Sequence, residues 1–269
     1  MIQLTDRLQE FLKRKIHTHY INGSYTQGTA GATIDIVNPA NEKIISSISL
    51  GTKAEVDIAV NAASDAFRHD SPWRKMNPDT RAQVLYKLAE LITAHSDSIA
   101  QLVTLENGKL LKDAKGSDVG GASKTFRYYA GWATKIEGQT LDLSQPQKGG
   151  QQNFAYTRRE PVGVVAAIVP WNFPISIAAW KVAPALAAGC TVVLKPSEET
   201  PLSALLLAEL ATEAGIPDGV FNVVLGDGQT TGAALTNHPK VKKVTFTGSI
   251  ATGKTIGKSA LENLSLIHI

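Results

Sequence analysis

The chain has 269 residues, 43% of them hydrophobic and 19% charged, which is enough apolar sequence for a sizeable buried core. Its net charge of +3, from 27 basic and 24 acidic residues, gives no ground for a nucleic acid or an acidic membrane surface as partner. No window approaches about 18 uninterrupted apolar residues, the start lacks the apolar block of a secretory signal, and a single cysteine, Cys190, rules out an internal disulfide or a cysteine-rich zinc site, so a cytoplasmic protein without a metal site is expected.

Leu4, Leu8, Phe11 and Leu12 recur at helical spacing and predict a short amphipathic helix over residues 4–16. His17 and His19 then fall in a polar, mobile leader, where two solvated side chains are a simpler reading than a metal site. Residues 20–25 and 32–48 alternate around the Asn22-Gly23 and Asn38-Pro39 turns and predict short strands. Residues 53–69 form a surface helix with one buried stripe through Val56, Ala59, Val60, Ala63 and Phe67. Asn77-Pro78 opens another helix to about His95, Ser96 caps a third that ends near Gly108, and a long helix from about Gly116 to Lys135 carries Phe126, Tyr128, Tyr129 and Trp132. Two β-like segments at 140–143 and 154–157 flank a Pro-, Gly- and Gln-rich stretch and predict a protruding hairpin. It is either a surface excursion or, since a two-stranded ribbon is marginal alone, a ribbon that pairs with another subunit.

The stretch 161–200 organises the rest. Val162 to Val169 is an unbroken apolar run of the kind found in strands buried on both faces of a parallel sheet. Pro170 and Pro174 stop it and stiffen the intervening Trp171, Asn172 and Phe173; a helix follows to Gly189, and a second buried strand begins at Thr191. The βα rhythm continues through strands at 220–225 and 241–247, with helices at 201–211, 229–236 and 249–264. The predicted fold class is therefore α/β: a Rossmann-type doubly wound parallel sheet with an N-terminal helical layer and a protruding β-hairpin. Its expected division is an N-terminal part (1–138), the hairpin (139–159), the Rossmann-type core (160–264) and an anomalous tail (265–269).

In such sheets ligands bind outside the carboxyl ends of the strands. Lys195 and Glu198 lie just past one of these ends; a carboxylate there can accept both hydroxyls of a ribose and repel a 2′-phosphate, or the two residues form an ordinary ion pair in an exposed turn. Residues 248–255, GSIATGKT, match the phosphate-cradling loop of P-loop NTPases, but only fourteen residues follow Thr255, too few for the second strand and its magnesium-holding Asp. A milder alternative places the Gly248 turn and the helix starting at Ser249 against a dinucleotide pyrophosphate. Asn172 is either an Asx turn or a preorganised amide donor to a developing oxyanion, and Phe173, Ile177 and Trp180 share a helix face that is either core or an apolar substrate wall. Cys190 opens a buried strand with no basic neighbour in sequence and reads as structural, not nucleophilic.

VPWNFP, VVLKPSEETP and FTGS, in this order and spacing, resemble the NAD(P)-dependent aldehyde dehydrogenase superfamily, and KIEGQTLDLSQP, TRREPVGVVAAIVPWNFP and WKVAPALAAGC are similar to its phenylacetaldehyde dehydrogenase branch. The resemblance implies a role for each position. Asn172 would be the oxyanion-hole amide, Lys195 and Glu198 would hold the adenosine ribose, and Ile168, Val169 and Trp171 would line the cofactor cleft. Gly228, Phe246, Gly248 and Ser249 would face the adenine and pyrophosphate, while Phe173, Ile177 and Trp180 would line the substrate tunnel. NAD is the implied cofactor, with NADP the alternative; the substrate is a phenylacetaldehyde-like aldehyde, and the 140–157 hairpin implies a homo-oligomer. In the family a cysteine thiolate attacks the aldehyde, hydride leaves to the nicotinamide, and a Glu-activated water hydrolyses the thioester. After Leu264 the family pattern continues into an E-L-G-G-K segment with the general-base Glu and later reaches the nucleophilic Cys, whereas this chain reads SLIHI. A foreign or frame-shifted tail, an absent catalytic domain and an inactive chain are therefore expected. A P-loop NTPase and a non-catalytic dinucleotide-binding module are the rival readings.

Overall fold

The computed structural model describes residues 3–29, 31–144, 153–262 and 266–268. Helix α1 (Asp6–Leu12) is capped by the Thr5 hydroxyl and buries Leu8 and Phe11. Strands β1 (Ile16–His17), β2 (His19–Ile21) and β3 (Ser24–Thr26) follow, then the antiparallel pair β4 (Thr33–Asn38) and β5 (Lys43–Ser49). The segment expected to be a mobile leader is built into the fold: His17 and His19 are fully buried, and burial pushes both imidazoles down to about 4. His17 stacks on Phe11, and His19 Nδ1 accepts the Leu225 N–H at 3.1 Å.

Helix α2 (Lys53–Ala66) opens with a capping box in which Glu55 returns to the Thr52 N–H, and α3 (Pro72–Lys75) and α4 (Pro78–Ala94) start on Ser71 and Asn77 caps. Helix α5 (Ser96–Asn107) has no side-chain cap at its start and ends where Gly108 turns to φ +81°. The single helix expected from residue 116 is instead α6 (Leu111–Asp113), a π-helical turn (Ala114–Val119) and α7 (Gly120–Ala130). A tertiary bond accompanies the irregular turn: the Ser176 hydroxyl reaches the carbonyls of Ser117 and Asp118, both at 3.1 Å. The ribbon strands β6 (Thr140–Leu141) and β7 (Ala155–Tyr156) pair antiparallel, and the residues expected to join them, 145–152, lie outside the described ones.

The βα units then run β8 (Val164–Ile168), α8 (Pro174–Ala187), β9 (Thr191–Lys195), α9 (Leu202–Ala214) and β10 (Phe221–Val223). The helix expected at 229–236 begins as a π-helical turn (Gly228–Gly232) before α10 (Ala233–Thr236); β11 (Val241–Phe246), α11 (Ile250–Glu262) and β12 (Leu266–His268) complete the chain order. The main sheet has the order β12-β11-β8-β9-β10-β2-β3, parallel from β12 to β10 and antiparallel from there on. Two findings extend the four-strand expectation. Strands β2 and β3 close one side, with Tyr20 opposite Val223, and residues 266–268 of the anomalous tail lie parallel to Lys243–Thr245.

Alternation along β8 buries both faces of the sheet. Val165 and Ala167 pack with the large cluster under α4, α5, α7, α8 and α9, while Val164, Ala166 and Ile168 pack with Val56, Val60 and Ile256 from α2 and α11. Helices on both faces make the sheet doubly wound, as expected, and the crossovers bring four loops to its carboxyl rim.

Candidate functional site

Register fixes which loops meet. Ile168 stands opposite both Lys195 and Phe246, and Leu194 opposite Val223, so the segments after β8, β9, β10 and β11 leave the same rim side by side. Asn172 and Glu198 belong to neighbouring loops of that rim, joined where the Val169 N–H donates to the Lys195 carbonyl at 3.2 Å and the Thr200 hydroxyl reaches the Trp171 carbonyl at 3.5 Å.

Lys195 is not in an exposed turn. It is 3% exposed, and its Nζ donates to the carbonyls of Gly226 at 2.6 Å and Pro196 at 2.8 Å, with Glu198 Oε2 at 3.5 Å. Burial lowers its pKa, and the Glu198 carboxylate opposes that shift. Gly226 must be glycine: its φ is +143°, and a Cβ would come within 2.0 Å of the Thr231 hydroxyl. Beside the lysine, Ile168, Gly228, Ala233, Thr252 and Ile256 line a cavity of about 110 Å³ between the Gly228 turn and α11. A Cβ on Gly228 would meet nothing within 4 Å, so the backbone there is open to a ligand. A narrow, largely apolar slot lined at one side by a lysine, whose ammonium stands 3.5 Å from a half-buried carboxylate, suits a flat heterocycle carrying a sugar diol. Val169 is buried beneath the rim, and the ring of buried Phe246 fills the space beside Gly248.

The β8 loop is held from outside the sheet. Asn107 Nδ2 donates to the Trp171 carbonyl at 2.8 Å, and Lys109 Nζ donates to the Asn172 carbonyl at 2.9 Å. The same ammonium pairs with the buried carboxylate of Asp118 and sits 3.7 Å from the Phe173 ring centroid. Burial raises the Asp118 pKa, and Lys109 pulls it back. The Asn172 side-chain amide is exposed and makes no hydrogen bond among the described residues, so its donors are free for a ligand. Trp171 shares a groove of about 440 Å³ with Val37, Glu106, Glu199 and Thr200. Glu106 caps α9 from 96 residues away, accepting the Leu202 N–H at 2.7 Å and the Ser203 N–H at 3.1 Å; burial, only partly offset by these bonds, pushes its pKa up to about 7.

The apolar stripe divides. Phe173 and Trp180 are exposed, whereas Ile177 is 4% exposed and belongs to the core. Trp180 lines a groove of about 290 Å³ with Lys124, Thr125, Tyr128 and Tyr129. The next residue, Lys181, is buried with its Nζ 3.2 Å from the Thr245 hydroxyl, and burial pushes it down to about 8. Cys190 is buried and its thiol pKa is raised, first by burial, which leaves it unreactive. Among the described residues no group of three His, Cys, Asp or Glu side chains could hold a metal, and no helix is long and apolar enough to cross a membrane.

The GSIATGKT stretch does not form a phosphate cradle. Helix α11 begins at Ile250, Ser249 Oγ caps it by accepting the Thr252 N–H at 3.2 Å, and the Gly253 N–H is already spent on the Ser249 carbonyl at 2.9 Å. A P-loop keeps those N–H groups for phosphate; here only Gly248 and Ser249 are loop. Motif spacing missed Asn107, Lys109, Asp118 and Gly226, because their partners come from other elements. Glu106 carried a signal, lying one turn beyond Leu102 and Val103 on the buried stripe of α5.

Comparison with known proteins agrees with this geometry. Phenylacetaldehyde dehydrogenase of Pseudomonas fluorescens is 49% identical over 253 residues, 94% of this chain and 50% of that protein; an aldehyde dehydrogenase of Enchytraeus buchholzi is 48% identical over 95% of this chain and 51% of its own length. The NAD+ complex of aldehyde dehydrogenase from Bacillus cereus superposes with a TM-score of 0.93 at 43% identity, covering 99% of this chain and 52% of that one. Betaine aldehyde dehydrogenase from Staphylococcus aureus, solved in complex with NAD+, gives a TM-score of 0.90 at 38% identity, covering 97% of this chain and 50% of its own. The chain spans about half the length of the curated relatives it matches. With residues 25–269 matching the model of the aldehyde dehydrogenase family, and the rim loops arranged as described, the chain belongs to that family.

Proposed function

We propose that this chain is the NAD-binding half of an enzyme that oxidises an aldehyde of the phenylacetaldehyde class to its carboxylic acid. The observation that carries the reading is the buried Lys195, held by Gly226 and Glu198 at the mouth of the slot between Gly228 and α11. Lys195 and Glu198 would hold the adenosine ribose; the carboxylate accepts both ribose hydroxyls and disfavours the 2′-phosphate of NADP. Gly248 and Ser249 would face the pyrophosphate, and Trp171 the cofactor cleft. Bound NAD supplies the hydride acceptor. Asn172 would donate its free amide to the aldehyde oxygen as a nucleophile adds to the carbonyl carbon and the π electrons move onto that oxygen, a role worth about 3 kcal/mol where such a donor has been removed. The exposed aromatic faces of Phe173 and Trp180 favour an apolar aldehyde, with buried Ile177 backing them. No reactive thiol lies among these 269 residues, since the single cysteine is buried and raised in pKa, so the chain alone binds cofactor without turnover. The ribbon of β6 and β7 carries exposed Leu141, Phe154 and Tyr156 and supports association between copies in the cytoplasm.

Calorimetric titration tests the reading. NAD should bind more tightly than NADP, and Glu198→Ala should weaken NAD by about ten-fold or more, the loss of a charge-assisted bond to a diol. Magnesium-dependent ATP binding that disappears in Lys254→Ala, with no NAD binding, would overturn it in favour of an NTPase.

A further inference from the structure

The opposite rim of the sheet carries a second concavity. A cavity of about 300 Å³ opens where Pro161 leads into β8 and Gly189 into β9, walled by α3, the start of α4 and the segments flanking the ribbon. It lies at the amino ends of the strands and shares no lining residue with the slot beside Lys195.

Its electrostatics are unbalanced. Four arginines line it, Arg74, Arg81, Arg158 and Arg159, against a single acid, Glu160, which stands 3.6 Å from Arg158. The other three guanidinium groups have no carboxylate partner among the described residues. Arg81 carries the argument furthest because it is 9% exposed. Its Nε donates to the Ala187 carbonyl at 3.0 Å and its Nη1 to the Met76 carbonyl at 3.4 Å, so three of the five donors of its fork have no acceptor among the described residues. A guanidinium so largely withdrawn from water is ordinarily paired, and the Arg81 nitrogen without an acceptor is not sealed in the core but stays accessible. Burial lowers the Arg81 pKa; Cys190 opposes that shift, and the nearby Arg74 charge adds a smaller push in the same direction as burial. Stacking of Arg74 on the Phe67 ring, 4.5 Å from its centroid, orients that fork without neutralising it.

We propose that this cavity is a binding site for a small organic anion whose carboxylate or phosphate head is held by Arg74, Arg81 and Arg159 and whose apolar body lies on Met76, Ile136 and Pro161. Planar forks suit an oxyanion head through bidentate bonds, and the mixed wall distinguishes an amphiphilic anion from a bare one. The anion offsets three like charges that otherwise repel across one concave surface.

Trp73 gives the test a local reporter, because its indole N–H donates to the carbonyls of Gly189 and Cys190, both at 3.1 Å, in the cavity wall, while Trp171 stands on the opposite rim. Two-dimensional NMR of the indole N–H signals during titration with inorganic phosphate and with benzoate should show a saturable shift of Trp73 and none of Trp171. Benzoate should bind several-fold more tightly, as its apolar body adds contact. Arg74→Gln and Arg159→Gln, both away from the Arg81–Ala187 bond, should each weaken either probe by about ten-fold, the worth of one charge-assisted pair, with circular dichroism and melting unchanged. Absence of a saturable Trp73 shift up to about 50 mM of either probe overturns the site, as does a shift that persists in the two variants. Equal affinity for phosphate and benzoate overturns the amphiphilic specificity.

Discussion

Glu106 shows how one buried side chain links stability to the site. Its carboxylate takes the first two free N–H groups of α9, and its neighbour Asn107 grips the Trp171 carbonyl, so α9, α5 and the β8 loop meet within two residues. Between its ordinary 4.5 and about 7, Glu106 is protonated in the folded chain and ionised in the unfolded one. The folded state therefore binds more protons across that window, and the stability contributed by this acid falls as pH rises through it. Glu106→Ala leaves two buried donors without acceptors and should cost about 2–4 kcal/mol in denaturant unfolding. The cost should be larger near pH 5 than near pH 8 (both about), and an equal cost at the two values would refute the assigned protonation. Motif spacing does not single out Glu106, but helical phase along α5 sets it on the buried face with Leu102 and Val103, so its burial was legible. Lys109 was not. Its partners Asp118 and Asn172 lie nine and 63 residues away, and nothing in local spacing announces them.

At the scale of elements, the rim follows from hydrophobic runs and turn residues, because four buried strands joined by helices with right-handed crossovers must send their loops to one side. The P-loop match failed for a reason that spacing cannot carry. Whether GKT lies in a loop or a helix depends on where the cap falls, and Ser249 sets it three residues after Phe246 has ended its strand. The π-helical turns at 114–119 and 228–232 were equally hidden, each accompanied by bonds to distant segments or side chains. One of them matters to the proposed oxyanion donor: the first turn buries Asp118, Asp118 holds Lys109, and Lys109 holds the Asn172 carbonyl. Lys109→Met should accelerate hydrogen exchange at the amides of Trp171, Asn172 and Phe173 by about ten-fold, the loss of one bond to a charged donor, and Lys109→Arg should restore part of the protection. Unchanged exchange in Lys109→Met would show that the loop is held by Asn107 and Thr200 alone.

For the whole molecule, composition and periodicity foretold a doubly wound sheet, but not its far side. Short polar strands such as β2 and β3 declare their existence through turns, not their partners, and Tyr20 opposite Val223 is a pairing only the folded chain reveals. The ribbon makes a prediction at this scale. Leu141 on β6 is 45% exposed and Phe154, just before β7, 78%; among the described residues these two strands pair only with each other. The association proposed for the ribbon predicts that replacing both with Ser lowers the sedimentation coefficient while NAD affinity stays the same; an unaltered coefficient would overturn association through the ribbon.

The strand that flanks β10 has a consequence for biosynthesis. The Asn22 N–H finds its acceptor on Asn222, 200 residues later, so a ribosome releases this segment long before the surface that receives it exists. At about 5–20 residues per second, the nascent β2–β3 hairpin waits of order ten seconds or more with one lateral row of amides unclaimed. Chaperone occupancy of nascent chains should therefore be concentrated on this early segment and end only after residue 223 has emerged from the exit tunnel.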